Sequence, residues 1–164
     1  MELHNQFTCI SYDIIDFLIP SKYVVSGIFL SIPKDSKTIL FNRETLPHIY
    51  IGNMLEKEFQ CTSKADTSVV LVMNKNDFSA EVCKTIINHT DTAFPATGNL
   101  ALSVNGNISS REFILDTFHL MPQGIRERLG SCGIDAIIFP DDVRKQILIA
   151  PDLLLKKFFT GGLQ

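Results

Sequence analysis

Histidine and cysteine are the side chains with which this chain could act as a base, a nucleophile or a metal ligand, and their spacing decides how much of that chemistry is open to it. His4, His48, His89 and His119 stand singly, none in a motif that sets a second titratable group beside it. A hydrolytic centre needs a nucleophile with a base in reach, so each lone histidine reads as a surface or half-buried polar side chain. Cys9, Cys61, Cys83 and Cys132 are far apart, and no HxH, HxxxH or CxxC spacing begins a tetrahedral metal site. Thr97-Gly98-Asn99 and Gly161-Gly162 hold isolated turn glycines, not a phosphate-cradling loop. The expectation is a chain with no catalytic residue, no cofactor and no metal, whose free and mostly buried thiols suit a reducing compartment.

With 164 residues, 45% of them hydrophobic, the chain can bury enough surface to fold as one domain over residues 1–164. Charged residues make up 20% and the net charge is −3, so there is no surplus of cations to neutralise phosphates or anionic lipid, and nucleic acid is a poor partner. Apolar runs fall far short of the roughly 20 residues that a membrane helix needs. Met1-Glu2-Leu3-His4 lacks the charged and apolar regions of a signal peptide, so the expected location is the cytoplasm.

The elements that would have to position any site read mainly as short strands. Residues 7–12 alternate, with Phe7 and Cys9 on one face and Thr8, Ile10 and Tyr12 on the other, and a second run over 17–19 stops at Pro20; together they form an opening hairpin. Residues 23–32 read as a short helix followed by a strand around Gly27. Strand candidates over 38–41 and 46–51 flank the polar Asn42-Arg43-Glu44-Thr45, and 54–59 makes one or two helical turns. Residues 68–73, SVVLVM, form the clearest buried strand. Asn74-Lys75-Asn76-Asp77 reads as a hairpin turn into a second strand over 78–87. Residues 88–112 read as loop, with an optional hairpin turned at Asn105-Gly106 between 100–104 and 113–118.

Residues 133–159 read as strand, tight turn, strand and helix. Pro140-Asp141-Asp142 supplies the turn, and Val143, Lys145, Ile147 and Ile149 then alternate with Arg144, Gln146 and Leu148. Pro151 suits the first helical position, Asp152 the positive end of the helix dipole, and Gly161-Gly162 the stop. This helix should bury Leu154, Leu155 and Phe158. Eight to ten short strands with one clear helix is the pattern of an antiparallel barrel or sandwich.

Leu129-Gly130-Ser131-Cys132 is similar to the sequence around the nucleophilic cysteine of the chemoreceptor glutamine deamidases, in which a histidine further along the chain makes the thiolate. No histidine follows Cys132. A cysteine-dependent, deamidase-like enzyme centred on Cys132 is therefore the alternative to a non-catalytic reading.

Taken in order, the strand runs resemble the CheW-like domain, the bacterial chemotaxis adaptor that couples chemoreceptors to the histidine kinase CheA. Phe17-Leu18-Ile19-Pro20 and Val24 are similar to the family's opening. Ile39-Leu40-Phe41-Asn42-Arg43 with Leu46-Pro47-His48-Ile49-Tyr50-Ile51 resembles its Asn-Leu-Arg-Gly hairpin and the Pro-x-x-Asp-Leu strand that follows. Residues 68–73 and 78–87 resemble the next hairpin, and residues 133–154 the last hairpin and terminal helix. Glu44 replaces the family's glycine after the arginine, Ser36-Lys37-Thr38 stands where an earlier glycine is usual, and Tyr50 and Cys83 replace its aspartates. Residues 96–110 look like an insertion. The chain is identified as a divergent member.

The resemblance implies an all-β, mainly antiparallel fold: two small five-stranded SH3-like β-barrels packed on each other, with a C-terminal helix covering one end. It implies a non-catalytic adaptor for flagellar chemotaxis or a related chemosensory pathway, cytoplasmic and recruited to membrane receptor arrays. The implied partners are the regulatory domain of a CheA-like histidine kinase and the cytoplasmic tip of chemoreceptors. Val24, Arg43 and Glu44 fall where partner contacts are implied; a core-packing valine and a solvated turn arginine are the plainer readings of the first two. A β-barrel binding module outside chemotaxis remains a third reading, marked by a deep apolar pocket.

Overall fold

The opening strands β1 (His4–Tyr12) and β2 (Ile15–Pro20) pair antiparallel, with Cys9 opposite Leu18 and Ile10 opposite Phe17. In this computed structural model, which describes residues 4–12, 15–59, 68–114, 134–138 and 145–161, that pair lies within the first of two five-stranded sheets. Strand β8 (Asn107–Ile114) joins the outer side of β1, while β10 (Lys145–Ile149) runs parallel to β2 and carries β9 (Ile134–Ile138) at the far edge. The second sheet runs β3 (Ser26–Phe29), β6 (Ser68–Asn74), β7 (Asn99–Asn105), β5 (Glu44–Tyr50), β4 (Thr38–Phe41) from edge to edge. Its single parallel pairing sets His48 of β5 beside Ala101 of β7.

Period-two alternation divides the apolar residues of each sheet between two destinations. Ile10, Phe17, Ile147 and Ile149 of the first sheet meet Ile49, Leu71, Met73, Leu100 and Leu102 of the second in one shared cluster. The out-of-phase residues Phe7, Cys9 and Leu18 form a separate cluster, as do Ile39, Leu46, Val70, Val72 and Ala101. Each sheet thus buries apolar residues from both of its faces, one set in the shared cluster and one in a cluster of its own. The result is the expected pair of packed five-stranded β-units with a C-terminal helix. Each fully buried leucine or isoleucine stabilises the fold by about 1.5–3 kcal/mol.

Among the described residues, three helices close the shared cluster: α1 (Gly52–Phe59), α2 (Ala80–Thr90) and α3 (Pro151–Gly161). They contribute Leu55, Val82 and Ile86, and Leu154 and Leu155, respectively, with Phe158 half-buried against them. Helix α3 follows its sequence closely. Pro151 opens it, Asp152 lies in its first turn, and Lys156 reaches back to Asp152 at 3.3 Å. Asp152 Oδ1 also accepts from the Ser79 main-chain N–H at 2.8 Å, which ties the starts of α2 and α3 together.

Several sequence expectations are overturned. Residues 78–87 are not a strand: Phe78, Val82 and Ile86 recur every four residues, and all three are buried. Ser79 caps α2 by accepting from the Val82 N–H at 3.3 Å, and Asp91 ends it in the left-handed conformation. Asn105-Gly106 is not a hairpin turn, because β7 and β8 belong to different sheets and the chain crosses between them there. Residues 96–110 hold β7, which has neighbours on both sides within the second sheet. The partner of β6 is β7, with Asn74 opposite Asn99, so the segment between the hairpin arms is 75–98 and carries α2. Its base is closed by the Asn74 amide donating to the Thr97 carbonyl at 2.8 Å and by Gly98 at φ +76, where any side chain would be strained.

Candidate docking surfaces

Where the β3 edge meets β1 and β8, Thr8, Val24, Gly27, Ile108, Ser109 and Ser110 line a shallow groove of about 250 Å³. Gly27 leaves room for the Ile108 side chain: a Cβ there would stand 2.5 Å from Ile108 Cδ1, so the tip of Ile108 would have to turn aside to admit one. Val24 follows a 3-10 turn (Ser21–Tyr23) and donates its N–H to the Ser21 carbonyl at 3.0 Å. Its half-buried side chain both packs on the shared cluster and lines the groove. Val25 and Phe29, each 56% exposed, stand on the same edge. Large apolar side chains this open on a sheet margin are an unpaid hydrophobic surface that a partner can cover.

At the opposite edge the β4–β5 hairpin turns through Asn42 and Arg43, both left-handed at φ 48 and 65, between the paired Phe41 and Glu44. Two positive-φ residues make the turn whose twist matches the strands, and asparagine tolerates that conformation better than arginine does. Arg43 is exposed. Glu44, in contrast, is half-buried and accepts from Thr97 Oγ1 at 2.9 Å, bracing the hairpin against the segment before β7. Leu40, opposite Thr45, is 72% exposed. The ladder registers put Val24 and the Arg43 turn at the same end of the second sheet, but β6 and β7 lie between β3 and β5. Three strand spacings of ~4.8 Å separate them by roughly 14 Å along the sheet. Arg43 and Glu44 are brought together and Val24 is not: the end carries two patches.

His48 had read as a surface or half-buried side chain, and the structure corrects this: it is 1% exposed. Its Nε2 lies 2.6 Å from Ser103 Oγ and its Nδ1 2.5 Å from the Ser36 carbonyl. That is the outline of a serine–histidine pair, but Ser103 is also 1% exposed, so no substrate reaches the hydroxyl. Burial holds the His48 pKa below the ordinary histidine value, against a smaller upward pull from the Ser36 carbonyl. The sequence signal for this pair was available only as a polar residue at an inward position of an otherwise apolar strand. His89 packs edge-on against Phe158 and Phe159 at 5.7 and 5.5 Å.

The Cys83 thiol is pushed up by burial, with Lys75 opposing and Asp152 adding to that, and its Sγ points to the Lys75 carbonyl at 3.4 Å. A protonated, half-buried thiol is a poor nucleophile. Cys61, His119 and the Leu129-Gly130-Ser131-Cys132 motif lie outside the described residues. Among the described residues no three histidine, cysteine or carboxylate side chains gather to hold a metal, and no helix is long and apolar enough to cross a membrane.

No family model and no curated protein matches the sequence. Among solved structures, the scaffolding protein TtCheW from Thermoanaerobacter tengcongensis superposes with a TM-score of 0.52 at 12% identity, covering 90% of this chain and 89% of that one. Nearly complete coverage of both chains at such low identity is a likeness of architecture. It matches the two packed sheets and the terminal helix.

Proposed function

With a divergent CheW-like fold as the premise, we propose that this chain is a non-catalytic signalling adaptor that couples chemoreceptors to a CheA-type histidine kinase, in chemotaxis or a related chemosensory pathway. The observation that carries the reading is the groove at the junction of the two sheets, floored by Val24, Gly27 and Ile108 and flanked by exposed Val25 and Phe29. An adaptor works by binding without turnover, and this margin offers what binding needs. Covering the open half of Phe29, on the order of 100 Å², yields about 2.5 kcal/mol at 25 cal/mol per Å². A shallow groove with Val24 and Ile108 beside the hydroxyls of Thr8, Ser109 and Ser110 offers the helical cytoplasmic tip of a receptor both apolar and hydrogen-bonding contacts. Arg43, presented on a turn that Glu44 braces, supplies a fixed cation for a carboxylate or carbonyl of a partner. The two sheets act as one CheW-like domain over residues 1–164, cytoplasmic and recruited to membrane-bound receptor arrays.

Co-expression of the tagged chain with the regulatory domain of a CheA-like kinase, and separately with a soluble receptor-tip fragment, tests the proposal. Stoichiometric co-purification of either supports it. Failure of both to associate, even at high micromolar concentration, overturns it.

A further inference from the structure

His48 is a buried titratable group for which partner docking has no use. Three stretches distant in sequence meet at its ring: the 33–37 loop through the Ser36 carbonyl, β5 itself, and β7 through Ser103. A carbonyl can only accept, so Nδ1 carries the proton and donates to Ser36, while the bare Nε2 accepts from the Ser103 hydroxyl. The same loop is held by the His48 main-chain N–H donating to the Lys37 carbonyl at 2.9 Å, and Ser36 Oγ donates to the Thr38 carbonyl at 2.8 Å at the start of β4. The ring is therefore the inner fastening of the loop that leads into β4 and the Arg43 turn.

Both ring nitrogens are occupied by neutral groups. The charged side chains on the surrounding elements are Lys34, Asp35 and Lys37 on the loop, all exposed, with Lys34 Nζ over the Tyr50 ring at 5.1 Å. Glu44 at the start of β5 is engaged by Thr97. Helix α1, which touches β7, carries Glu56 and Lys57, whereas β6 from Ser68 to Met73 and β7 from Leu100 to Val104 carry no charge. The interior on this face of the sheet is Leu46, Val70, Val72 and Ala101. A second proton on the ring would convert Nε2 from acceptor to donor, make the Ser103 hydroxyl turn to accept, and place a cation among apolar side chains, which is the costly part.

We propose that His48 is an acid-release latch: protonation of its ring frees the 33–37 loop and with it the β4 edge and the Arg43 turn. Burial disfavours the imidazolium in the closed form, while in the opened loop the ring regains its ordinary value of 6.5. The opening equilibrium then rises between pH 7.5 and 5.5, by at most about tenfold, because the open form takes up a proton more readily than the closed form.

Hydrogen exchange on the full chain, corrected for the intrinsic pH dependence of exchange, reads this directly. The amides of Thr38–Phe41 and of His48 should lose protection from pH 7.5 to 5.5, by up to about tenfold, while the amides of α2, on the other face of the sheet, keep theirs. In His48→Gln, uncharged at both pH values, the loss should vanish. Constant protection at Thr38–Phe41 in the natural chain, or an equal loss in His48→Gln, overturns the latch. Should His48→Gln not fold, NMR titration of the natural chain replaces it. The Ser36 and Lys37 amide shifts must then move with the His48 ring, and a ring that titrates without them overturns the proposal. No partner enters either experiment, so its outcome is independent of the adaptor reading.

Discussion

The two edges of the second sheet are held in place by different physics. At β3 the edge is seated by apolar packing: Gly27 lets Ile108 in, Leu71 lies beneath, and Val25 and Phe29 are left over as open hydrophobic surface. At β4 the buried Ile39 packs into the sheet's own cluster and hydrogen bonds are added to that: His48 fastens the loop before it from within, Glu44 braces the turn after it, and what is left over is Leu40 and the charge of Arg43. Packing is indifferent to pH and supplies contact area, whereas buried polar fastenings add little net energy but are expensive to break. In the proposed adaptor, the β3 edge would supply affinity and the β4 edge orientation together with sensitivity to conditions.

The largest effect that separates the two is loss of the packing under β3. Leu71→Ala should destabilise the fold by about 2–5 kcal/mol in urea unfolding. A smaller and more local disturbance is Gly27→Val, which turns the Ile108 tip aside at about 1 kcal/mol and narrows the groove; calorimetric unfolding measures the first and loss of partner binding the second. Acid should act on the other edge. With the folded pKa of His48 lowered, its contribution is complete above pH 6.5 and declines as the pH falls below it, at up to about 1.4 kcal/mol per pH unit until the folded pKa is reached. His48→Gln should flatten that part of the stability–pH curve. The smallest effect is at the turn. Arg43→Gly relieves a left-handed arginine worth about 1–2 kcal/mol but adds about 0.5–1 kcal/mol of unfolded-state entropy, for a net gain of about 0–1.5 kcal/mol and a Tm raised by at most about 6 degrees. That variant should nonetheless bind its partner less well, dissociating stability from docking.

The sequence carried the fold where one local signal stood unopposed. Proline then aspartate at 151–152 and the alternation ending at Ile149 read as strand and helix because capping and periodicity agreed. At 78–87 the same residues fit both periods, since Phe78 and Val82 lie four apart and also on one face of a strand. The cap at Ser79 decided for the helix. Asn105-Gly106 misled for a different reason. A turn dipeptide does not say whether the chain comes back to its own sheet, and here tertiary pairing sends β8 to β1. Of the candidate site, Arg43 on its turn and Val24 near a sheet edge were visible as positions. The groove itself was not, because it exists only where Gly27 and Ile108, 81 residues apart, come together. The His48–Ser103 pair was hidden likewise, joined by a parallel pairing that no local pattern encodes.

Isothermal titration of the chain with the regulatory domain of a CheA-type kinase and with a receptor-tip fragment, each repeated with Phe29→Asp, tests the adaptor reading most directly. The prediction is saturable micromolar binding of at least one partner, weakened tenfold or more by Phe29→Asp while thermal unfolding stays within about 0.5 kcal/mol of the natural chain. Absence of binding to both, or binding that Phe29→Asp and Gly27→Val leave untouched, would contradict it.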